Sequence, residues 1–159
     1  MSLVASALQT QWTDTLAPQS LAGKVTSMQV LDPTEGKEKT SLLELGEPFD
    51  VRLAWELTGP GTPAVGGYWI LDLYSDDIDG VGTMVMPPLQ AKIHIVGGVS
   101  PLKYHHVFHV PAKVSKEGVY QLTATISHSP TGDPNKVSEM FGYAESGPIR
   151  IAKTVVESN

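Results

Sequence analysis

The feature that most constrains this chain is a strict alternation of apolar and polar or small residues over positions 49–57. The apolar positions are Phe49, Val51, Leu53, Trp55 and Leu57. Successive side chains of a β-strand point to opposite faces, so a period of two predicts a strand with one face in a core and one in solvent.

Shorter segments of the same kind follow one another along the chain, separated by turn residues every 8–12 positions. The chain has 15 glycines and 12 prolines among 159 residues, more than an average domain carries. We therefore expect about eight short strands and no helix between residues 24 and 155, which predicts a single all-β domain. The predicted strands are Val25–Leu31, Phe49–Leu57, Tyr68–Tyr74, Thr83–Met86, Ala91–Val96, Lys103–Val110, Val119–His128 and Pro148–Val155.

The segment Glu117-Gly-Val-Tyr-Gln-Leu122 resembles the tyrosine corner of immunoglobulin-like domains. The resemblance implies an immunoglobulin-like antiparallel β-sandwich in which the Tyr120 hydroxyl bonds to backbone a few residues upstream. It also implies that Leu122 points inward opposite Leu53, and that Trp69 is the buried tryptophan of the third strand. Because the chain has no cysteine, the resemblance is to the architecture and not to antibody or receptor domains.

The first 23 residues differ from the rest, because Asp14 is their only charged residue. Their large apolar residues recur at helical spacing, which favours an N-terminal arm that is partly helical or disordered. The arm either forms a loosely docked tail or packs on a neighbouring subunit, and we favour the neighbour because a free tail seldom carries such side chains. Residues 156–159 are expected to form a short tail. The candidate partner-binding residues of the arm are Leu3, Val4, Leu8 and Trp12.

Charge and motifs exclude several functional classes. With 11 basic and 17 acidic residues the net charge is -6, which argues against nucleic acid or an anionic membrane as the partner. The chain lacks a nucleophile elbow, a phosphate-binding loop and a dinucleotide-binding glycine motif. We therefore expect no enzymatic activity and no cofactor. The first 20 residues have no basic residue and no continuous apolar run, so the sequence predicts a cytoplasmic protein.

Two groups of side chains leave metal binding open. The turn-like segment containing Asp76, Asp77 and Asp79 departs from a calcium-binding loop at both of its ends, and an ordinary turn explains it equally well. His94 lies on one predicted strand and His105 and His106 on the next. Gly97-Gly98 predicts a turn that joins these two strands as a hairpin. His94 and one of the other two could then face each other, although two ligands alone make a weak site.

The second expected contact surface is the segment 129–146, predicted to be a long loop at the same end as the loop 58–67. It carries Met140, Phe141 and Tyr143, aromatic and flexible residues of the kind found at contact surfaces. The alternative is that these residues pack back onto the sandwich or begin the last strand. The sequence thus favours a non-enzymatic protein-interaction or structural module that self-associates or joins a larger assembly. The alternative is a β-sandwich that binds a small ligand or a carbohydrate, with Trp55, Trp69 or loop aromatics stacking on sugar faces.

Overall fold

The computed structural model describes residues 9–14, 21–32, 37–38, 42–77, 89–111, 117–138 and 140–152. Within these ranges the chain forms ten β-strands, one short 3₁₀ helix and no α-helix, which confirms the all-β prediction. The strands are β1 (Gln9–Asp14), β2 (Ala22–Asp32), β3 (Lys37–Glu38), β4 (Leu42–Glu44), β5 (Phe49–Thr58), β6 (Tyr68–Asp77), β7 (Leu89–His94), β8 (Leu102–Val110), β9 (Gly118–Ser129) and β10 (Met140–Ala152). The 3₁₀ helix is Thr62–Ala64. The predicted strand Thr83–Met86 lies outside the described residues.

The strands form two sheets. The six-stranded sheet has the order β1-β10-β9-β6-β7, and β4 adds to it by pairing parallel to β10. The four-stranded sheet has the order β3-β2-β5-β8 and curls into a half-barrel. All pairs except β4 with β10 are antiparallel.

One hydrophobic core joins the buried faces of the two sheets. The alternation predicted for β5 is present, with every apolar position buried and the positions between them partly or fully exposed. Trp55 of β5 meets Trp69 of β6 edge to face, with ring centroids 6.1 Å apart, and Tyr104 of β8 stacks on Trp55 at 5.6 Å. Because Trp55 and Trp69 belong to different sheets, this aromatic cluster ties the two layers together.

The start of β9 has the contacts that the sequence resemblance implies. Tyr120 is buried, and its hydroxyl donates a hydrogen bond to the Glu117 carbonyl oxygen at 3.4 Å. Leu122, Leu53 and Trp69 are all buried in the shared core. The bond joins the tyrosine to the backbone just before β9, and so fixes the point at which this strand enters the six-stranded sheet.

The N-terminal segment departs from the expectation. Residues Gln9–Asp14 are a strand, so the prediction of helix or disorder was wrong for these six residues. The strand pairs antiparallel with β10 of the same chain, from Gln9 opposite Glu145 to Asp14 opposite Met140, whereas we favoured a neighbouring subunit. An edge strand offers a row of unpaired N–H and C=O groups. Hydrogen bonding of β1 to such an edge of β10 favours a strand over the helix that the spacing of the apolar residues predicts. Leu3, Val4 and Leu8 lie outside the described residues.

The last strand is longer than expected. It begins at Met140 instead of Pro148, so the predicted loop 129–146 is only about half that long. The strand continues through a bulge between Glu145 and Pro148, where the Ser146 hydroxyl accepts a hydrogen bond from the Leu122 backbone N–H at 3.1 Å. A side chain here replaces a backbone acceptor of the ladder, and for this reason the glycine and proline do not end the strand.

Candidate interaction surface

Three loops meet at one end of the two sheets, which we call the loop end. They are residues 59–67 between β5 and β6, 95–101 between β7 and β8, and 130–138 between β9 and β10. The first residue of β6 pairs with the last residue of both β7 and β9, and the next-to-last residue of β5 pairs with the first residue of β8. The register therefore brings these loops together, as expected for the loops after β5 and β9.

Hydrogen bonds hold the 95–101 loop against the 59–67 loop. The Gly98 N–H donates to the Thr62 carbonyl oxygen at 3.2 Å, and the Gly59 N–H donates to the Ser100 hydroxyl at 3.1 Å. Gly97 makes the closest approach, because a Cβ atom built on it would lie 2.4 Å from the Pro63 carbonyl oxygen. No other residue fits at this distance without a shift of the backbone.

His128 joins the other two loops. It is 8 % exposed, and its Nε2 atom lies 2.7 Å from the Gly66 carbonyl oxygen. Since a carbonyl only accepts, Nε2 carries a proton and donates it, and Nδ1 lies within hydrogen-bond distance of the Ser138 hydroxyl, at 2.8 Å. The Ser138 N–H in turn donates to the His128 carbonyl oxygen at 2.7 Å. One buried side chain thus fixes the 59–67 loop relative to the 130–138 loop.

Apolar side chains of the loop end are exposed to solvent. Val96 and Val99 are 72 % and 85 % exposed on the 95–101 loop, and Val137 is 50 % exposed on the 130–138 loop. The 59–67 and 95–101 loops contain no charged residue. The 130–138 loop carries one acidic and one basic residue, Asp133 and Lys136. An apolar surface on loops held by hydrogen bonds is suited to protein contact, because little conformational entropy is lost on binding.

The valines are the residues that sequence reasoning missed. The signal for them is the run Val-Gly-Gly-Val at 96–99, for which the sequence predicts a hairpin turn between β7 and β8. That prediction was wrong, because β7 pairs with β6 and β8 pairs with β5, in different sheets. The segment is a crossover between the sheets, and its side chains point out from the end of the molecule instead of pairing across a ladder.

The residues expected in the second contact surface are separated by the alternation of β10. Met140 is buried in the core and therefore offers no contact surface. Phe141 is 37 % exposed and Tyr143 is half-buried, and both lie on the outer face of the six-stranded sheet. The backbone of Trp12 pairs with Gly142, so the structure does place β1 beside Phe141 and Tyr143.

The structure also separates the histidines considered as metal ligands. His94 ends β7 in the six-stranded sheet, whereas His105 and His106 lie on β8 in the other sheet, so no cross-strand pair forms. His106 is half-buried, and burial lowers its pKa, with the neighbouring His109 and His105 lowering it further. No group of three or more histidine, aspartate or glutamate side chains could hold a metal ion within the described ranges.

The acidic segment begins on a strand instead of a turn. Asp76 and Asp77 are the last two residues of β6, paired with Gln121 and Tyr120. Asp79 lies outside the described residues. The Asp76 side chain is exposed.

Comparisons with known proteins add little. No protein-family model matches the chain, and no curated protein matches it. Among solved structures the chain is similar to a β-glucosidase from Listeria innocua in complex with glucose, at 13 % sequence identity and a TM-score of 0.46. The similar region covers 86 % of this chain and 16 % of that chain. A likeness at this level identifies neither a family nor an activity.

The described part of the chain contains no helix long and apolar enough to cross a bilayer.

Proposed function

We propose that this protein is a non-enzymatic interaction module with an immunoglobulin-like β-sandwich architecture, which self-associates through the loop end. The observation that carries the proposal is the exposure of Val96, Val99 and Val137 on loops that hydrogen bonds hold in place. Apolar side chains so exposed contribute to binding when a partner covers them.

The strand order supports the architecture. In an immunoglobulin-like sandwich the third, sixth and seventh strands form one sheet, and the first, second and fifth lie in the other. We take β2 as the first strand and leave the short β3 and β4 out of the count. The third, sixth and seventh strands are then β6, β9 and β10, which are neighbours in that order, and the first, second and fifth are β2, β5 and β8, which are also neighbours. The hydrogen bond from Tyr120 to Glu117 is the corner contact that such a domain uses.

A second copy of the chain is the partner that the charges favour. The chain carries a net charge of -6, so two copies repel each other when charged faces meet. The 59–67 and 95–101 loops carry no charge, and contact through them avoids that repulsion. In a two-fold dimer the same patch is used on both subunits, which requires a self-compatible surface of this kind.

The test is the oligomeric state measured by size-exclusion chromatography with light scattering over about a hundredfold range of protein concentration, since oligomer populations depend on concentration. We expect the wild-type protein to be a dimer or larger, and the double variant Val96→Asp/Val99→Asp to be a monomer. Arg150→Asp is the matched control, because it changes the net charge by the same amount at the opposite end of β10. A wild-type monomer at every concentration, or an unchanged oligomer in the double variant, refutes the proposal.

The carbohydrate-binding alternative finds no support in the tryptophans of the strands. Trp55 and Trp69 are both buried and pack against each other between the sheets. A ring in that position has no free face to stack on a sugar.

A further inference from the structure

The outer face of the four-stranded sheet contains a depression of about 290 Å³. Ala54 lies at its centre, opposite His105 of β8 in the register and opposite Ser27 of β2. On the same strand Arg52 and Glu56 lie two residues to either side of Ala54, on the same face. The small alanine side chain therefore leaves a space surrounded by longer polar ones. The lining residues are Thr26, Arg52, Ala54, Trp55, Glu56, Lys103, Tyr104 and His105.

A β-bulge forms one side of this depression. The register changes from Val25 opposite Trp55 to Ser27 opposite Ala54, so that Thr26 has no cross-strand partner. Thr26 is exposed and lines the depression. Bulges are over-represented beside binding and active sites because they redirect a side chain and leave backbone groups unpaired.

The charge around the depression is opposite to that of the whole chain. Lys24, Arg52 and Lys103 face a single carboxylate, that of Glu56, which leaves an excess of two positive charges. Glu56 is already paired with Lys24 at 3.3 Å. Arg52 and Lys103 make no ion pair with any described residue.

The next acidic residue along this face is Asp50, two residues from Arg52 on β5, and its carboxylate reduces the excess to one positive charge. The Asp50 carboxylate also contacts the His109 ring at 2.8 Å. At physiological ionic strength charges are screened over about 8 Å. The nearby cations therefore outweigh the net negative charge of the rest of the molecule for a ligand inside the depression.

We infer that this depression binds a small organic molecule with two acidic groups, one held by Arg52 and the other by Lys103. Lys103 lies opposite Glu56 in the register of β5 and β8, and Glu56 is four residues from Arg52 along β5, so the two cations start about 13 Å apart at the backbone. Two acidic groups on one molecule allow each cation to bind a separate group. The arginine fork suits a carboxylate or a phosphate equally, because both accept two parallel N–H bonds.

The test is an NMR titration that follows the backbone amides of the ¹⁵N-labelled full chain. Glutarate is the carboxylate probe, pyrophosphate is the phosphate probe, and sodium chloride at equal ionic strength is the control for non-specific anion effects. We expect at least one of the two probes to give saturable shifts confined to the amides around Thr26, Ala54 and His105. Which probe binds tighter distinguishes carboxylate from phosphate ligands.

Two variants separate the charges from the space. Arg52→Gln/Lys103→Gln should weaken binding at least tenfold, and Ala54→Leu should abolish it by filling the depression while keeping every charge. Arg150→Gln, which removes an exposed cation from the other sheet, should bind like the wild type. Shifts that sodium chloride reproduces, or an unchanged affinity in the Arg52→Gln/Lys103→Gln variant, overturn the inference. If Ala54→Leu lowers the thermal midpoint, the charge variant decides, since both of its side chains are exposed.

Discussion

Replacing His128 with phenylalanine tests how the loop end is held together. Phenylalanine keeps a ring against Trp69, whose centroid lies 5.9 Å from that of His128, and removes both ring nitrogens. The hydrogen bonds to Gly66 and Ser138, at 2.7 and 2.8 Å, are lost. An intramolecular hydrogen bond contributes about 1 kcal/mol net, so we expect a loss of about 2 kcal/mol in the free energy of unfolding.

The expected loss stays at about 2 kcal/mol because the two groups that lose their hydrogen bond to His128 are accessible to water. Gly66 is exposed and Ser138 half-buried, so water can replace much of what their oxygen atoms lose, and the full cost of a buried orphan group does not apply. For a domain of this size, about 2 kcal/mol corresponds to a fall of about 4–8 °C in the thermal midpoint.

Urea unfolding followed by tryptophan fluorescence measures the loss, and amide hydrogen exchange locates it. We expect faster exchange at the Ser138 and Ile95 amides, whose N–H groups donate to His128 and Gly67, and little change at the core of β9. His94→Phe is the matched control, because His94 is exposed on β7 and should change stability by less than about 0.5 kcal/mol. Equal stability in the two variants would refute the assignment of His128 as the residue that joins the loops.

Four further expectations follow from the contacts. Leu122→Ala should cost about 2–5 kcal/mol in urea unfolding because it opens a cavity in the shared core, and a smaller loss would place Leu122 near the surface. Tyr120→Phe should cost about 1 kcal/mol, the value of its hydrogen bond to Glu117; an unchanged midpoint would show that this bond is not formed. Burial lowers the pKa of His106, so the unfolded chain binds a proton at this histidine more readily than the folded protein does. The free energy of unfolding should therefore fall as the pH drops below about 6.5. His106→Gln should show a smaller fall between neutral and acidic pH, and an equal dependence on pH in the two proteins would contradict the lowered pKa of His106. Deleting residues 1–14 removes the cover from the edge of β10 and should increase self-association in light scattering, whereas a smaller oligomer would show that β1 is exchanged between chains.

Local periodicity carried the correct part of the sequence predictions. The alternation of β5 and the apolar run beginning at Tyr68 depend only on which faces of a strand are buried, and that information is present in adjacent residues. The corner at Tyr120 also concerns a contact only three residues long. These predictions therefore needed no knowledge of which strand pairs with which.

The errors arose where pairing between distant segments decides the structure. β1 is a strand because β10 has a free edge, although its own residues also fit a helix. β10 extends to Met140 because a serine hydroxyl from the bulge replaces a ladder acceptor. The depression around Ala54 depends on the register of β2, β5 and β8 and on the bulge at Thr26. None of these partners can be identified from the spacing of neighbouring residues.

The loop end and the depression are neighbours, and this affects how their tests are interpreted. Lys103 follows Val99 by four residues, so aspartates placed at Val96 and Val99 add negative charge near one of the two cations of the depression. Weaker anion binding in the Val96→Asp/Val99→Asp variant then has an electrostatic cause that screening by salt removes. Val96→Thr/Val99→Thr keeps shape and charge while making the surface polar, and so acts on self-association alone. If this neutral variant also weakens anion binding, the dimer itself completes the depression, and the two surfaces form one site.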